Sequence, residues 1–255
     1  MTNFLWQKSK RIKQWLPKLQ AHRGYCLTGA VENTLQSIQK AVELSYQIIE
    51  FDVRLTKDLE VILFHDHDIL ENKIRRKVAE LTLIELRKTV FVDRLEDVLF
   101  WLRSEVQSGS TTKLNIELKT ESVLDGTLEK KVVALIETYG LENQILISSF
   151  NPLALARIRF LNNQIFRALL LSLQTAPKNK WYLKKLVFNV LCRPHALHLS
   201  FDSWSEARWG SLNNDIPVVL WTYNGDLKDL KGFNIHGIIS DQITPQDFKA
   251  CKNTN

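Results

Sequence analysis

Eight short apolar runs are the feature that most constrains the fold of this chain. Each has the length of a buried strand, and helix-capable or short connecting segments lie between them. This alternation is typical of an α/β protein, and eight units within 255 residues fit a closed barrel better than an open sheet. We therefore predict one (β/α)8 TIM-barrel domain over residues 20–250. The runs are LQAHRG, QIIEFDV, KLNIELK, QILISSF, FRALLLS, ALHLSFD, PVVLWTYN and HGIISD.

A return strand follows the second run, in the stretch IEFDVRLTKDLEVILFHD over residues 49–66. The connector TKDLE is too short for a parallel crossover, so EVILFHD should return antiparallel as a β-hairpin. Folding the hairpin about Asp58 and Leu59 places Asp52 opposite His65, and a turn of slightly different length would move the partner by one or two residues. The polar stretch 67–90 then forms a short insertion before the next helix.

Charged residues occupy alternate positions of the second strand. Successive side chains point to opposite faces, so Glu50 and Asp52 share one face while Ile49, Phe51 and Val53 share the other. Active sites of such barrels lie at the C-terminal ends of the strands. Polar residues fall at the ends of three further strands, which predicts a common site: His22 and Arg23, Glu117 and Lys119, Trp221 and Asn224.

The net charge of +6 comes from two local stretches. Residues 1–20 and 178–193 each hold five Lys or Arg and no acidic residue, and the rest of the chain is net acidic. This distribution does not describe a nucleic-acid groove, so we expect no nucleic-acid partner. Three separated cysteines without a CxxC pair indicate reduced thiols. With no signal-peptide core and no run of apolar residues long enough to span a membrane, we expect a cytoplasmic protein.

The two basic stretches are amphipathic. Residues 1–20 combine their cations with Phe4, Leu5, Trp6, Trp15 and Leu16, which suits either peripheral contact with an anionic membrane or a helix closing the bottom of the barrel. In WYLKKLVFNVL, a helical stripe is expected to pack on the barrel with the lysines in water. That stripe comprises Leu183, Leu186, Val187, Val190 and Leu191.

An ordered set of motifs from about residue 20 to 245 resembles the glycerophosphodiester phosphodiesterases: AHRG, ENT, IEFDVRLTKD, VILFHD, LTLIELR, LNIELK, ISSF, LWTYN and GIISD. The resemblance implies a phospholipase-C-like barrel that cleaves diesters of glycerol phosphate with a divalent cation. It assigns metal binding to Glu50, Asp52 and Glu117, and it makes His22 and His65 the general acid/base pair. It also places Trp221 in the substrate wall.

The residue types suit this chemistry. Three hard carboxylate oxygens favour Mg²⁺ or Ca²⁺ over zinc. Arg23 offers a fork of donors to phosphate oxygens, and Lys119 shares a strand face with Glu117. The three carboxylates, these two side chains and one divalent cation sum to +1, which complements the −1 of a phosphodiester. Either water or the glycerol hydroxyl would serve as nucleophile, and either histidine as base.

Several other polar residues have a structural interpretation. His195 and His198 have no paired carboxylate near in sequence, so ordinary structural roles are favoured. We expect Glu32 and Asn33 of ENT to cap the first helix and brace the mouth, because Asn and Thr there satisfy free backbone donors. Asp241 closes the last strand and is a candidate to hydrogen-bond beneath the site.

The leading hypothesis is a metal-dependent enzyme that hydrolyses glycerophosphodiesters to glycerol 3-phosphate and an alcohol. One alternative is a lysophospholipase D that acts on membrane lysolipids. Another is a non-catalytic barrel that binds phosphodiesters. The sequence indicates a small-molecule substrate and leaves the oligomeric state open.

Overall fold

A computed structural model describes residues 5–71, 73–120, 124–174 and 188–253. Within these ranges eight parallel strands close into a barrel in the order β1-β2-β6-β7-β8-β9-β10-β11 and back to β1. The predicted (β/α)8 fold is confirmed. The barrel strands are β1 (Leu19–Ala21), β2 (Ile48–Leu55), β6 (Lys113–Leu118), β7 (Ile145–Ser149), β8 (Phe166–Leu171), β9 (Ala196–Ser200), β10 (Val218–Trp221) and β11 (Gly237–Ser240).

Helices surround the barrel and bury their apolar faces against it. Local signals fix their ends: a Thr34 capping box opens α2, and Gly140, in the left-handed conformation, closes α5. None of the helices in the described ranges has the length and apolarity needed to cross a bilayer. The helices are α1 (Lys10–Trp15), α2 (Leu35–Glu43), α3 (Leu83–Leu86), α4 (Leu95–Gln107), α5 (Thr127–Tyr139), α6 (Pro152–Leu161), α7 (Asn189–Cys192), α8 (Glu206–Trp209) and α9 (Pro245–Asn253).

The predicted hairpin is present, with a register one residue away from the prediction. Strand β3 (Val61–Leu63) pairs antiparallel with β2, and the amide of Phe64, not of His65, donates to the carbonyl of Asp52. The loop has three residues instead of two, because Leu59 adopts a left-handed conformation with φ of 64°. His65 therefore lies one residue beyond the partner of Asp52.

The insertion follows this hairpin and carries its own small core. Strands β4 (Asp68–Glu71) and β5 (Ile74–Lys77) pair antiparallel, and α3 follows them. Its buried side chains pack on Ile62 of β3. The insertion thus lies beside the mouth of the barrel, where His65 is placed.

Helix α1 closes the N-terminal end of the barrel. Ile12 and Leu16 are buried against interior side chains that include Ile48 and Phe166. Trp6 is buried as well, and Leu5 and Trp15 are partly buried against the core, while Phe4 lies outside the described residues. Contact of the charged face of this N-terminal segment with a membrane stays a prediction.

Most of the stretch 178–193, including Leu183, Leu186 and Val187, lies outside the described residues. For its described part, the predicted packing is wrong. Val190 and Leu191 are exposed on α7. The single turn of α7 points Asn189 and Cys192 inward instead.

Side chains fill the barrel in layers of four, contributed by alternate strands. The strand register and the inward–outward alternation define these layers. From the bottom upward, the middle layers are Gln20, Asn115, Ala168 and Val219, then Glu50, Ser148, His198 and Ile239, then His22, Glu117, Leu170 and Trp221.

Candidate active site

Three buried carboxylates meet at the C-terminal end of two neighbouring strands. Asp52 of β2 pairs with Glu117 of β6, and Glu50 points inward one pleat below. One ligand oxygen from each carboxylate lies within 4.8 Å of the others. Sheet pairing therefore brings together the three residues that the sequence predicts as metal ligands.

Two cations hold this acidic cluster together. Lys119 Nζ lies 3.0 Å from Asp52 Oδ1 and 2.5 Å from Glu117 Oε1. Arg23 Nε lies 3.4 Å from Asp52 Oδ2, and its backbone amide donates to Glu50 Oε2 at 3.1 Å. With all side chains ionised, the five residues carry a net charge of −1, so the cluster attracts a cation.

Burial and neighbouring charges shift the pKa values of the three carboxyl groups in different directions. Burial and the neighbouring Asp52 carboxylate raise the pKa of Glu50 to about 8. Burial raises the pKa of Glu117 to about 7 despite Lys119. Burial opposes ionisation of Asp52 too, but Lys119, His65 and Arg23 outweigh it and lower the pKa of Asp52.

The donor set fits a hard divalent cation. Oxygen atoms from three carboxylate side chains lie close together, and oxygen atoms are the ligands that Mg²⁺ and Ca²⁺ prefer. Glu50 Oε1 is buried and has no hydrogen-bond partner in the protein. A buried, unpaired carboxylate oxygen is costly unless a cation or water satisfies it.

His22 follows β1 and faces the acidic cluster. Its Nδ1 lies 2.6 Å from Asp241 Oδ1, and its Nε2 lies 3.9 Å from Glu50 Oε2. Burial would lower the pKa of His22, but Asp241 and Glu50 outweigh it and raise that pKa. Asp241 is itself held by Asn224, whose Nδ2 donates to Asp241 Oδ2 at 2.8 Å. Asp241 therefore orients the ring and leaves Nε2 toward the site.

His65 approaches from the hairpin on the other side of Asp52. Its Nδ1 lies 2.8 Å from Asp66 Oδ1. Burial and the Lys119 cation lower the pKa of His65. The buried Arg54 holds the backbone in place, since its Nε and Nη2 donate to the His65 carbonyl at 3.0 and 2.8 Å.

Asn33 has a more direct role than the sequence predicts. Its Oδ1 accepts from the Asp52 amide at 2.8 Å, and its Nδ2 donates to Asp52 Oδ2 at 3.1 Å. The residue that caps α2 is Thr34, so the predicted capping by Asn33 is wrong. Asn33 has a φ of 55°, a conformation that asparagine tolerates and that does not suit a cap. The predicted bracing is present, because Glu32 Oε1 lies 2.8 Å from Arg23 Nη1.

Trp221 forms an aromatic wall beside Lys119. Its ring meets Phe150 edge to face, with 5.5 Å between ring centroids, and Lys119 Nζ lies 6.0 Å from the Phe150 centroid. Trp221 Nε1 donates to the His198 carbonyl at 2.9 Å, which fixes the indole. His198 on β9 and His195, which directly precedes this strand, are both buried.

Residues 22–244 match the sequence model of the glycerophosphoryl diester phosphodiesterase family. The chain belongs to this family. An uncharacterized protein of Mycoplasma genitalium is 33% identical over 229 residues, which cover 82% of this chain and 88% of that protein. A glycerophosphodiester phosphodiesterase of Caldanaerobacter subterraneus is 27% identical over 233 residues, covering 87% and 92% of the two chains. The resemblance seen in the sequence is confirmed, and the chain is a glycerophosphodiester phosphodiesterase by family.

Solved structures of this family share the fold. An Oleispira antarctica phosphodiesterase, determined in complex with the product sn-glycerol-3-phosphate, superposes with a TM-score of 0.73. The alignment covers 94% of this chain and 98% of that chain at 23% identity. This agreement extends over the whole barrel.

Proposed function

We propose that this enzyme hydrolyses glycerophosphodiesters to glycerol 3-phosphate and an alcohol in a metal-dependent reaction, with His22 and His65 as the general acid/base pair. The observation that carries the proposal is the buried carboxylate triad with one imidazole on either side. Family membership and the product named for the Oleispira phosphodiesterase support the same substrate class.

Glu50, Asp52 and Glu117 would hold the divalent cation, Mg²⁺ or Ca²⁺. When bound, this cation would polarise a phosphoryl oxygen and offset charge that develops during cleavage. With all side chains ionised, the five charged residues carry −1, and a bound divalent cation would bring the total to +1. That charge complements a phosphodiester anion, so metal loading and substrate binding are coupled.

Arg23 and Lys119 would bind the phosphate. Both side chains lie beside Asp52, and each has several N–H donors that can bind phosphate oxygens. The wall of Trp221 and Phe150 would pack against the glycerol carbons and limit access of bulk water. These contacts position the phosphorus atom between the two imidazoles.

Proton transfer would involve the ring nitrogens that the protein does not already engage. Asp241 engages Nδ1 of His22, and Asp66 engages Nδ1 of His65, so Nε2 of each ring serves the substrate. One imidazole accepts the proton of the nucleophile, which is water or the glycerol hydroxyl. The other donates a proton to the departing alcohol.

Release of glycerol 3-phosphate from glycerophosphocholine tests this function. The purified protein is assayed in EDTA and then with added Mg²⁺ or Ca²⁺. We expect turnover only with metal, and its loss in His22→Ala but not in His67→Ala, a control on the insertion. If the protein binds glycerophosphocholine but does not turn it over with either Mg²⁺ or Ca²⁺, the result would instead support a non-catalytic barrel that binds phosphodiesters.

A lysophospholipase D activity is a second candidate, favoured by apolar residues in the loop after His22. Leu27 is 60% and Val31 56% exposed, and both lie in the loop between β1 and α2 beside the mouth. They would contact the acyl chain of a lysolipid. A Leu27→Ser/Val31→Ser double variant should then lose activity on lysophosphatidylcholine and keep activity on glycerophosphocholine, whereas equal effects on both would exclude this role.

A further inference from the structure

The barrel interior directly beneath the triad is unusually polar. Two consecutive layers contain Gln20, Asn115, Ser148 and His198 in addition to Glu50, and all five are buried. Interiors of (β/α)8 barrels are dominated by branched apolar side chains. Polar side chains in the barrel layers next to the carboxylates therefore differ from the usual apolar filling.

Most polar atoms of these layers lack a partner. The one hydrogen bond among the four new side chains runs from Asn115 Nδ2 to Gln20 Oε1, at 3.0 Å. The unpaired buried atoms are Gln20 Nε2, Asn115 Oδ1, Ser148 Oγ, both ring nitrogens of His198, and Glu50 Oε1. Folded proteins rarely leave such groups unsatisfied, and buried water is their usual partner when the protein supplies none.

Strand order shows that these atoms surround one interior volume. Glu50 on β2 and His198 on β9 belong to the same layer, and three strands separate β2 from β9 in either direction around the barrel. The two side chains therefore face each other across the axis, with Ser148 of the same layer between them on β7. Beside His198, the interior positions on β8 and β9 are the small residues Ala168 and Ala196, which occupy less of the interior than the branched side chains usual there.

His198 is suited to link such water to the carboxylate. Burial lowers the pKa of His198 to about 3, so the ring is neutral at physiological pH. A neutral imidazole offers one donor and one acceptor, and both are unpaired here. An apolar residue at position 198 would avoid this cost entirely, so the histidine is not explained by packing.

We propose that ordered water occupies the polar layers and connects His198 to the free oxygen of Glu50, making His198 a positioning residue for the metal-binding carboxylate. This inference rests on the proposed metal-dependent function. Groups that hydrogen-bond to metal ligands fix the direction of the ligand lone pairs, and their loss weakens metal binding about 10- to 100-fold.

Calorimetric titration of the purified protein with Mg²⁺ and with Ca²⁺ tests the inference without an activity assay. We expect His198→Leu to weaken metal binding by about 10-fold. Its melting temperature should stay close to that of the wild type, because a buried leucine needs no hydrogen-bond partner in place of the imidazole. His198→Gln, which keeps a donor and an acceptor, should restore most of the affinity.

The matched control is His195→Gln. His195 is also buried, but its Nδ1 accepts from the Arg167 amide at 3.1 Å, away from the triad. This variant should change stability and leave metal affinity unchanged. Equal metal affinity in wild type and His198→Leu would overturn the inference.

A high-resolution crystal structure of the wild type gives an independent readout. We expect water within hydrogen-bonding distance of a His198 ring nitrogen and connected to Glu50 Oε1, and a dry interior would overturn the inference. Wild-type protein that binds neither cation would overturn the metal-dependent function itself. That result is distinct from unchanged affinity in the variant.

Discussion

Asp241 Oδ1 lies 2.6 Å from Nδ1 of His22, across the pairing of β11 with β1. The contact joins the imidazole that follows β1 to the carboxylate that follows β11. Asn224 holds the other carboxylate oxygen, so the ring is fixed by two successive hydrogen bonds. His22 is thereby oriented by a residue that directly follows β11.

Replacing Asp241 with asparagine should lower the pKa of His22. The carboxylate is what raises that pKa against the effect of burial, so removing its charge moves the titration to lower pH. We expect turnover to fall about 100-fold, because a misoriented imidazole transfers protons poorly. NMR titration of His22 and the pH dependence of kcat measure both effects.

Asp215→Asn is the control for this substitution. Asp215 forms a half-exposed ion pair with Lys8, 2.7 Å away, on the surface. The Asp215→Asn substitution removes one negative charge outside the site, as Asp241→Asn does within it, and should leave the pKa of His22 unchanged. An unchanged His22 pKa in Asp241→Asn would refute the assigned orientation.

Metal binding should release protons near neutral pH. In the metal-free protein the pKa values of Glu50 and Glu117 are about 8 and about 7, so at pH 7 the triad is partly protonated. A cation binds the ionised form, and affinity should fall as pH is lowered from about 8 to about 6. Calorimetry in buffers of different ionisation enthalpy should detect the release of about one proton.

Glu50→Gln should reduce that proton release along with the affinity. Glu129→Gln provides a comparison, since Glu129 is an equally buried carboxylate that pairs with Arg157 elsewhere. If binding were independent of pH, the raised pKa values of the triad would be wrong.

The contribution of Glu50 to the stability of the metal-free protein should fall as pH rises above about 4.5. The folded pKa of Glu50 lies above its ordinary value of 4.5, so the folded state binds a proton more tightly than the unfolded state. The free energy of unfolding should decline by at most about 1.4 kcal/mol per pH unit for this group, up to about pH 8. Urea unfolding in EDTA at several pH values measures this contribution as the difference between the slopes of the wild type and Glu50→Gln.

Ile12→Ala should destabilise the protein by about 2–4 kcal/mol, because the side chain is fully buried against the lower end of the barrel. The site lies at the opposite end, so kcat should not change. Ile84→Ala, at a position 74% exposed, should cost less than about 0.5 kcal/mol in the same urea titration. A small effect of Ile12→Ala would argue against α1 as the closure of the barrel.

The sequence predicted the barrel, the hairpin and the insertion because strand periodicity and connector length depend on local spacing. It grouped His22, Glu50, Asp52 and Glu117 because strand ends of a barrel converge. The hairpin register was off by one, since nothing local required Leu59 to adopt a left-handed backbone. The contacts of Asn33 with Asp52 and of Arg54 with His65 were missed, because they join residues whose directions are set only by tertiary packing.

The in-register pairing of Asp52 with Glu117 ties the chemistry to the sheet itself. Spacing between these two carboxylates follows from the hydrogen-bonded backbone of β2 and β6, and a slip of one residue would turn one of them out of the barrel. The connecting loops can therefore diverge in length and composition during evolution while the proposed metal site keeps its geometry.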